Sequence, residues 1–206
     1  MKKLLILLFS IFFLSSPSVF ADGISDFEIE GISIGDSLLD YMTEDEILEE
    51  IERTKDFFYH LNEPNKYAEV ALNNNFSKYD YVSVKIKNNN LNEYVSNKNE
   101  KYIILSIRAS IAYPNDFDNC IKERDEIVEI FSKILPSAEK SEYYEIHGGD
   151  PSGESIIDSV HLDKSYEGSR YSCIDWGESI SSKNNWVDNL SISLRTEEIT
   201  SWFSDY

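Results

Sequence analysis

The feature that most constrains the fold is a long alternating segment that leads directly into an amphipathic helix. Every second residue of Tyr102–Tyr113, counted from Ile103, is apolar, which predicts a strand with one continuous buried face. Pro114 ends the alternation, and an apolar stripe over Phe117–Leu135 predicts a long helix that the next proline terminates. A strand and a helix of this length predict a sheet with a helix packed across it.

Shorter segments on both sides add strands and helices to this core. The pattern predicts strands at 67–72, 79–87, 142–147, 155–162, 170–176 and 186–195. Thr43 and Glu46 have the spacing of a capping box, which predicts a helix after Thr43, and a last short helix is predicted over Glu197–Ser204. Runs of strands between single helices predict an α+β fold, with a mostly antiparallel sheet and helices packed on one face. The sheet belongs to one unit or to two similar halves that share it.

The composition fits a single domain over residues 22–206. Of the 206 residues, 41% are apolar and 28% charged, which is typical of a globular protein. Residues 87–101 (KNNNLNEYVSNKNEK) form a weak internal seam. Their composition predicts a long hairpin loop and not a linker between domains.

Residues 1–21 have the organisation of a secretory signal peptide. Two lysines precede an apolar run at 4–14, and Val19-Phe-Ala21 supplies the small residues of a cleavage site. The apolar run is shorter than the roughly 20 residues that cross a membrane, and no cysteine follows it to carry a lipid. We therefore expect cleavage before Asp22, no membrane anchor afterwards, and export to the periplasm or out of a bacterial cell.

The chain is strongly acidic, with 38 Asp and Glu against 19 Lys and Arg and a net charge of -19. Nucleic-acid binding draws on clustered basic residues that neutralise phosphates, so this balance argues against a nucleic-acid partner. The acidic residues are spread along the chain, which favours a role in solubility. A basic or cation-rich partner is the alternative interpretation of the same charge.

Two cysteines, Cys120 and Cys173, are predicted to form a disulfide. The first lies on the apolar face of the long helix and the second in the middle of a predicted strand, so helix-on-sheet packing would bring them together. Cysteines of exported proteins usually pair. The alternative is a reactive thiolate close to His147 or His161.

The segment His147-Gly-Gly-Asp150-Pro-Ser-Gly-Glu154 is the strongest local candidate for chemistry. Together with His161 it offers imidazole and carboxylate groups that could hold a divalent cation or activate water. Gly-Gly, Asp-Pro and Ser-Gly are also ordinary turn residues between strands. As a turn, the segment should tolerate alanine at His147, Asp150 or Glu154 and resist valine at Gly148 or Gly149, where we expect a positive φ.

The segment Ile32-Ser-Ile-Gly-Asp-Ser-Leu-Leu-Asp-Tyr-Met-Thr-Glu-Asp-Glu-Ile47 resembles the helix-opening part of small exported helix-plus-sheet domains. The beta-lactamase-inhibitor-like and outer-membrane-assembly lipoprotein families are examples, and the chain is also similar to uncharacterised small exported bacterial proteins. The resemblance covers 16 residues, with Gly35-Asp36 where those families usually have Gly-Met. It implies a helix-plus-sheet fold and carries over no functional residue.

These observations favour an exported, non-catalytic binding module of the bacterial envelope, without a metal or another cofactor. Its partner would be a protein or a small ligand. The alternative is a hydrolase or metal-dependent enzyme that uses His147, Asp150, Glu154 and His161.

Overall fold

The computed structural model describes residues 24, 27–62, 66–73, 75–88, 95–165 and 167–205. The predicted signal peptide, residues 1–21, lies outside the described residues, as does the middle of the predicted seam.

Nine strands and several helices alternate along the described chain. The strands are β1 (Glu28–Ile29), β2 (Ile32–Ser33), β3 (Tyr67–Leu72), β4 (Tyr81–Lys87), β5 (Ile104–Ala112), β6 (Glu139–Ile146), β7 (Ile156–Lys164), β8 (Glu167–Asp175) and β9 (Asn189–Arg195). The helices are α1 (Glu44–Thr54), α2 (Tyr59–Asn62), α3 (Phe117–Ile134), α4 (Glu178–Asn184) and α5 (Glu197–Asp205). The prediction thus found most elements and missed the short helices α2 and α4.

Seven strands form one antiparallel sheet in the order β3-β4-β5-β9-β8-β7-β6, and β1 and β2 form a separate hairpin. The predicted α+β fold with a mostly antiparallel sheet is confirmed. The sheet consists of two consecutive meanders, β3 to β5 and β6 to β9, which meet where β5 pairs with β9. A helix precedes each meander, α1 the first and α3 the second.

Helix α3 packs across one face of the sheet, which we call the helix face. Its buried side chains include Cys120 and Ile127, which join the main core with residues of β8 and β9 such as Tyr171 and Ile192. The sulfur atoms of Cys120 and Cys173 lie 2.01 Å apart, the length of a disulfide bond, with 5.9 Å between the two Cα atoms. The disulfide therefore ties the long helix to the centre of the sheet, as the sequence predicts.

The capping box at the start of α1 is present as predicted. The hydroxyl of Thr43 accepts a hydrogen bond from the backbone N–H of Glu46, and the Glu46 carboxylate accepts one from the N–H of Thr43. These bonds satisfy two backbone donors that the first turn of a helix leaves without a partner.

The expected single apolar face of Tyr102–Tyr113 is wrong at its beginning. The pairing of β4 with β5 shifts register between Lys85 and Ile86, as at a β-bulge. Because side chains alternate strictly along a strand, one extra residue moves those before it to the other face. Ile104 thus joins the main core, whereas Leu105 packs in a small cluster on the opposite face.

That small cluster places α2 and α5 over one corner of the opposite face. Leu61 of α2 and Ile199 of α5 are buried there against Tyr67 and Leu105. Most of the rest of this second face carries polar side chains, apart from the paired Ile157 and Ile174, and we call it the polar face.

The two edges of the sheet differ in how they are covered. All six residues of β3 are buried, and α1 packs against this strand. At the other edge, seven of the eight residues of β6 are exposed. None of the helices in the described ranges combines the length and the apolar character needed to span a membrane.

Candidate functional site

The polar face shows a ladder of serines that crosses four neighbouring strands. The strand register aligns Ser159 of β7, Ser172 of β8, Ser191 of β9 and Ser110 of β5 in one row. Paired residues of an antiparallel sheet point to the same side, so the four hydroxyl groups share this face. Tyr143 of β6 and Tyr81 of β4 stand at the two ends of the row.

The next row along the strands carries positive charge. In this row, His161 of β7 pairs with Arg170 of β8. Ser193 of β9 pairs with Arg170 on one side and with Arg108 of β5 on the other. Neighbouring strands are about 4.8 Å apart, which places the backbones of the two arginines about 10 Å from each other. Two guanidinium groups thus flank one serine.

A third row adds Arg195 of β9, two residues beyond Ser193. Arg195 is aligned with Gly168 of β8, which is aligned with Asp163 of β7. A Cβ atom on Gly168 would lie only 2.1 Å from the Asp163 carboxylate, so the glycine leaves the space that this carboxylate occupies. We call Arg108, Arg170, Arg195, His161 and Ser193, with the serine ladder, the arginine face.

Two of the three arginines donate hydrogen bonds to serine hydroxyls. The Nε–H of Arg108 donates to Ser191 Oγ at 3.1 Å, and that of Arg195 donates to Ser193 Oγ at 3.3 Å. Within the described part of the chain, arginine–carboxylate ion pairs form at Arg53 and Arg124, and none forms at the three arginines of this face. The face therefore concentrates positive charge in a protein of net charge -19.

Burial and like charge shift the pKa values on this face. The pKa of Arg195 is lowered to about 10, mainly by burial and by the charge of Arg170. The charge of Arg108 acts in the same direction, whereas the charge of Asp163 opposes the shift. Burial and the charges of Arg170 and Arg195 lower the pKa of His161 to about 4, so His161 is neutral at pH 7. Burial raises the pKa of Asp163 although Arg170 and Arg195 oppose the shift. Asp163 thus offsets part of the positive potential of the face, although it forms no ion pair with the arginines.

Glu69 and Lys85, at the β3–β4 side of the polar face, form a pair that neutralises itself. Lys85 Nζ lies 2.7 Å from Glu69 Oε2, and Ser83 Oγ donates to Glu69 Oε1 at 2.8 Å. This pair differs from the arginine face, because here the buried carboxylate of Glu69 forms an ion pair with the cation of Lys85.

The predicted loop from His147 to Glu154 forms a turn between β6 and β7 that is closed by its own side chains. The backbone N–H and hydroxyl of Ser152 donate to one oxygen of Asp150, and those of Ser155 donate to the other, at 2.6–2.9 Å. These bonds lower the pKa of Asp150. Asp150 thus holds the turn together, which makes it a poor site for the alanine substitution that a simple turn would tolerate.

His147 and Glu154 make different contacts. Nδ1 of His147 accepts a hydrogen bond from the N–H of Gly149, and its ring lies 4.5 Å from that of Trp176. Glu154 accepts a hydrogen bond from the Ser179 hydroxyl at 3.3 Å. The expected positive φ at Gly148 or Gly149 is wrong, since in this turn it occurs at Gly153, with φ 75°.

His161 does not join this loop. It lies five residues after Ile156, the first residue of β7, hence about 16 Å along the strand. Its Nε2 atom is 3.5 Å from Ser159 Oγ, and its ring lies 4.6 Å from that of Tyr143. Among the described residues, no three His, Cys, Asp or Glu side chains are grouped so that they could hold a metal ion.

The arginine face was not predicted from the sequence, although the strands carry a signal for it. Polar residues alternate with apolar ones as Ser106-x-Arg108-x-Ser110, Arg170-x-Ser172 and Ser191-x-Ser193-x-Arg195. Each triplet or pair alone indicates only a solvated side of a strand. Strand order and register, which the sequence does not supply, bring them onto one surface.

Comparison with protein-family models, with curated proteins and with solved structures finds no match for this chain. The fold and the arginine face therefore carry the functional argument.

Proposed function

We propose that the protein is an exported, non-catalytic binding protein that holds an anionic ligand on its arginine face. The observation that carries the proposal is the group of three arginines around Ser193, which no carboxylate of the described residues pairs within 4.0 Å. A desolvated cation beside like charges costs free energy, and an anion from outside would recover it.

The serine ladder suits the same role. Ser159, Ser172 and Ser191 are buried, whereas Ser110 and Ser193 are partly exposed. The hydroxyl groups of these two serines donate and accept hydrogen bonds, so they can bind the oxygen atoms of an anion next to the guanidinium groups. Arginine binds carboxylate or phosphate with two parallel hydrogen bonds, which favours ligands that bear such groups. The acidic remainder of the molecule would repel these ligands and so confine binding to this face.

Thermal unfolding in the presence of inorganic phosphate tests the proposal. At constant ionic strength, the melting temperature should rise with phosphate concentration, because a ligand that binds only the folded state stabilises it. The rise should be lost in Arg195→Gln and in the more exposed Arg170→Gln, and kept in the control Arg53→Gln, whose arginine pairs with Glu50 outside this face. Equal rises of the melting temperature in the unaltered protein and in all three variants would contradict the proposal.

Export has its own support and test. The signal-peptide pattern of residues 1–21 and the disulfide between Cys120 and Cys173 both fit an oxidising compartment. N-terminal sequencing of the exported protein should begin at Asp22, and an intact Met1 in the membrane would contradict this expectation. The alternative enzymatic role of His147–Glu154 stays a prediction.

A further inference from the structure

We propose that the open edge of the sheet, strand β6, binds an extended basic segment of a partner protein as an additional strand. This edge adjoins the arginine face at Tyr143, whose ring contacts His161, but it would bind through its backbone and would serve a second, protein partner. Among the described residues the sheet ends at β6, whereas the opposite edge strand, β3, is fully buried and covered by α1. An uncovered edge strand presents unpaired backbone groups that can pair with another chain.

The register shows which backbone groups face outward. The N–H of His147 donates to the carbonyl of Ser155 at 2.9 Å, and pairing with β7 continues without a shift from there to Glu139. Hydrogen-bonded and non-hydrogen-bonded pairs alternate along antiparallel strands. The odd-numbered residues of β6 therefore bond to β7, and the N–H and C=O groups of Lys140, Glu142, Tyr144 and Ile146 point away from the sheet.

The side chains of β6 also indicate a binding edge. Tyr143, Tyr144 and Ile146 are 46%, 69% and 63% exposed, which is unusual for three large apolar residues on one short strand. An added strand would cover part of this surface, because neighbouring strands bring their side chains into contact.

Charge identifies the kind of segment. Glu139, Glu142 and Glu145 project from β6, and Lys140 pairs with Glu142 at 2.7 Å. A second copy of the protein would bring the same glutamates and a further net charge of -19 to the edge. Lysine or arginine side chains on one side of the incoming strand would instead find opposite charge, from Glu139 and Glu145 on one side of the sheet or from Glu142 on the other.

The test is fluorescence anisotropy with a labelled eight-residue peptide of alternating lysine and valine, the length of β6. Tyr144→Pro removes one outward N–H without touching the ladder to β7, and it should weaken binding about tenfold. The matched control Tyr144→Ala loses the side chain but keeps the N–H, so it should bind more tightly than Tyr144→Pro. Arg53→Gln, in helix α1 at the opposite edge of the sheet, should bind like the unaltered protein.

Two further measurements test the proposal without Tyr144→Pro, in case that variant does not fold. The double variant Glu142→Gln/Glu145→Gln should bind the peptide more weakly, and a peptide N-methylated at every residue should not bind. The proposal is overturned if the unaltered protein does not bind the peptide, if Tyr144→Pro binds it as Tyr144→Ala does, or if N-methylation changes nothing. Dimerisation of the protein that Tyr144→Pro abolishes would show that a second copy occupies the edge, and would also overturn it.

Discussion

Arg108 and Arg170 lie opposite the same residue, Ser193, from the two strands that flank β9. Two like charges are thus held on one face with a serine between them, and Arg195 stands two residues further along β9. Such an arrangement disfavours the folded protein unless an anion or water screens the charges. A cost of this kind is typical of binding sites, where residues are retained for function at the expense of stability.

Replacing Arg195 should therefore stabilise the protein. Burial and the neighbouring arginines lower the pKa of Arg195 to about 10, which means that the folded state disfavours its charge at pH 7. Arg195→Met keeps the aliphatic bulk, and it should raise the free energy of unfolding by about 1 kcal/mol in phosphate-free buffer. Urea unfolding measures this change, and a clear loss of stability would show that Arg195 supports the fold.

His161 should make stability depend on pH. Its pKa is about 4 in the folded protein and about 6.5 when unfolded. The unfolded state therefore binds the proton first, and the contribution of neutral His161 is present above pH 6.5 and lost progressively as the pH falls to about 4. With allowance for its partial exposure, the loss should be about 1–2 kcal/mol.

The variant His161→Gln isolates this effect. Both proteins are unfolded with urea at several pH values, and the difference between their free energies of unfolding should change between pH 6.5 and pH 4. All other titrating groups are common to both and largely cancel in the difference. A difference that stays constant over this range would contradict the lowered pKa of His161.

The disulfide should supply a large part of the stability. Cys120 and Cys173 are 53 residues apart in sequence, and closing a loop of this size stabilises by about 4 kcal/mol on the chain-entropy model. The double variant Cys120→Ala/Cys173→Ala should lose about this amount at most, in unfolding experiments without reductant. Free labelling of both thiols in the unaltered oxidised protein would contradict the pairing.

The loop between β6 and β7 should respond to substitution as a structural turn. Asp150→Ala removes the acceptor of four hydrogen bonds from Ser152 and Ser155, so it should lower the melting temperature. Glu154→Ala is the control and should have little effect, since Glu154 is exposed. Calcium or zinc should leave the melting temperature of the unaltered protein unchanged. A rise that Asp150→Ala abolishes would instead favour the metal-dependent alternative.

Much of the fold is predictable from this sequence because its strands and its long helix have clear periodicity. The predicted strand at 67–72 and the helix beginning at Phe117 match the structure at these bounds. Leu105 shows the limit of such reasoning. Its place depends on a register shift between two strands, and alternation within one strand does not reveal it.

The candidate site was less predictable for a related reason. The residues of His147–Glu154 suggest a site because they are close in sequence, but the Asp150 carboxylate closes the turn. The arginines that gather around Ser193 come from three strands, β5, β8 and β9. Only the order of the strands, which depends on long-range pairing, makes them neighbours.

The most direct test of anion binding is nuclear magnetic resonance of the arginine Nε–H groups during titration with citrate at constant ionic strength. The chain has five arginines, and the signals of Arg108, Arg170 and Arg195 should shift together and saturate, while those of Arg53 and Arg124 stay in place. A single dissociation constant should describe the three shifts. Shifts of all five that never saturate, or no shifts at all, would contradict the arginine face as a binding site.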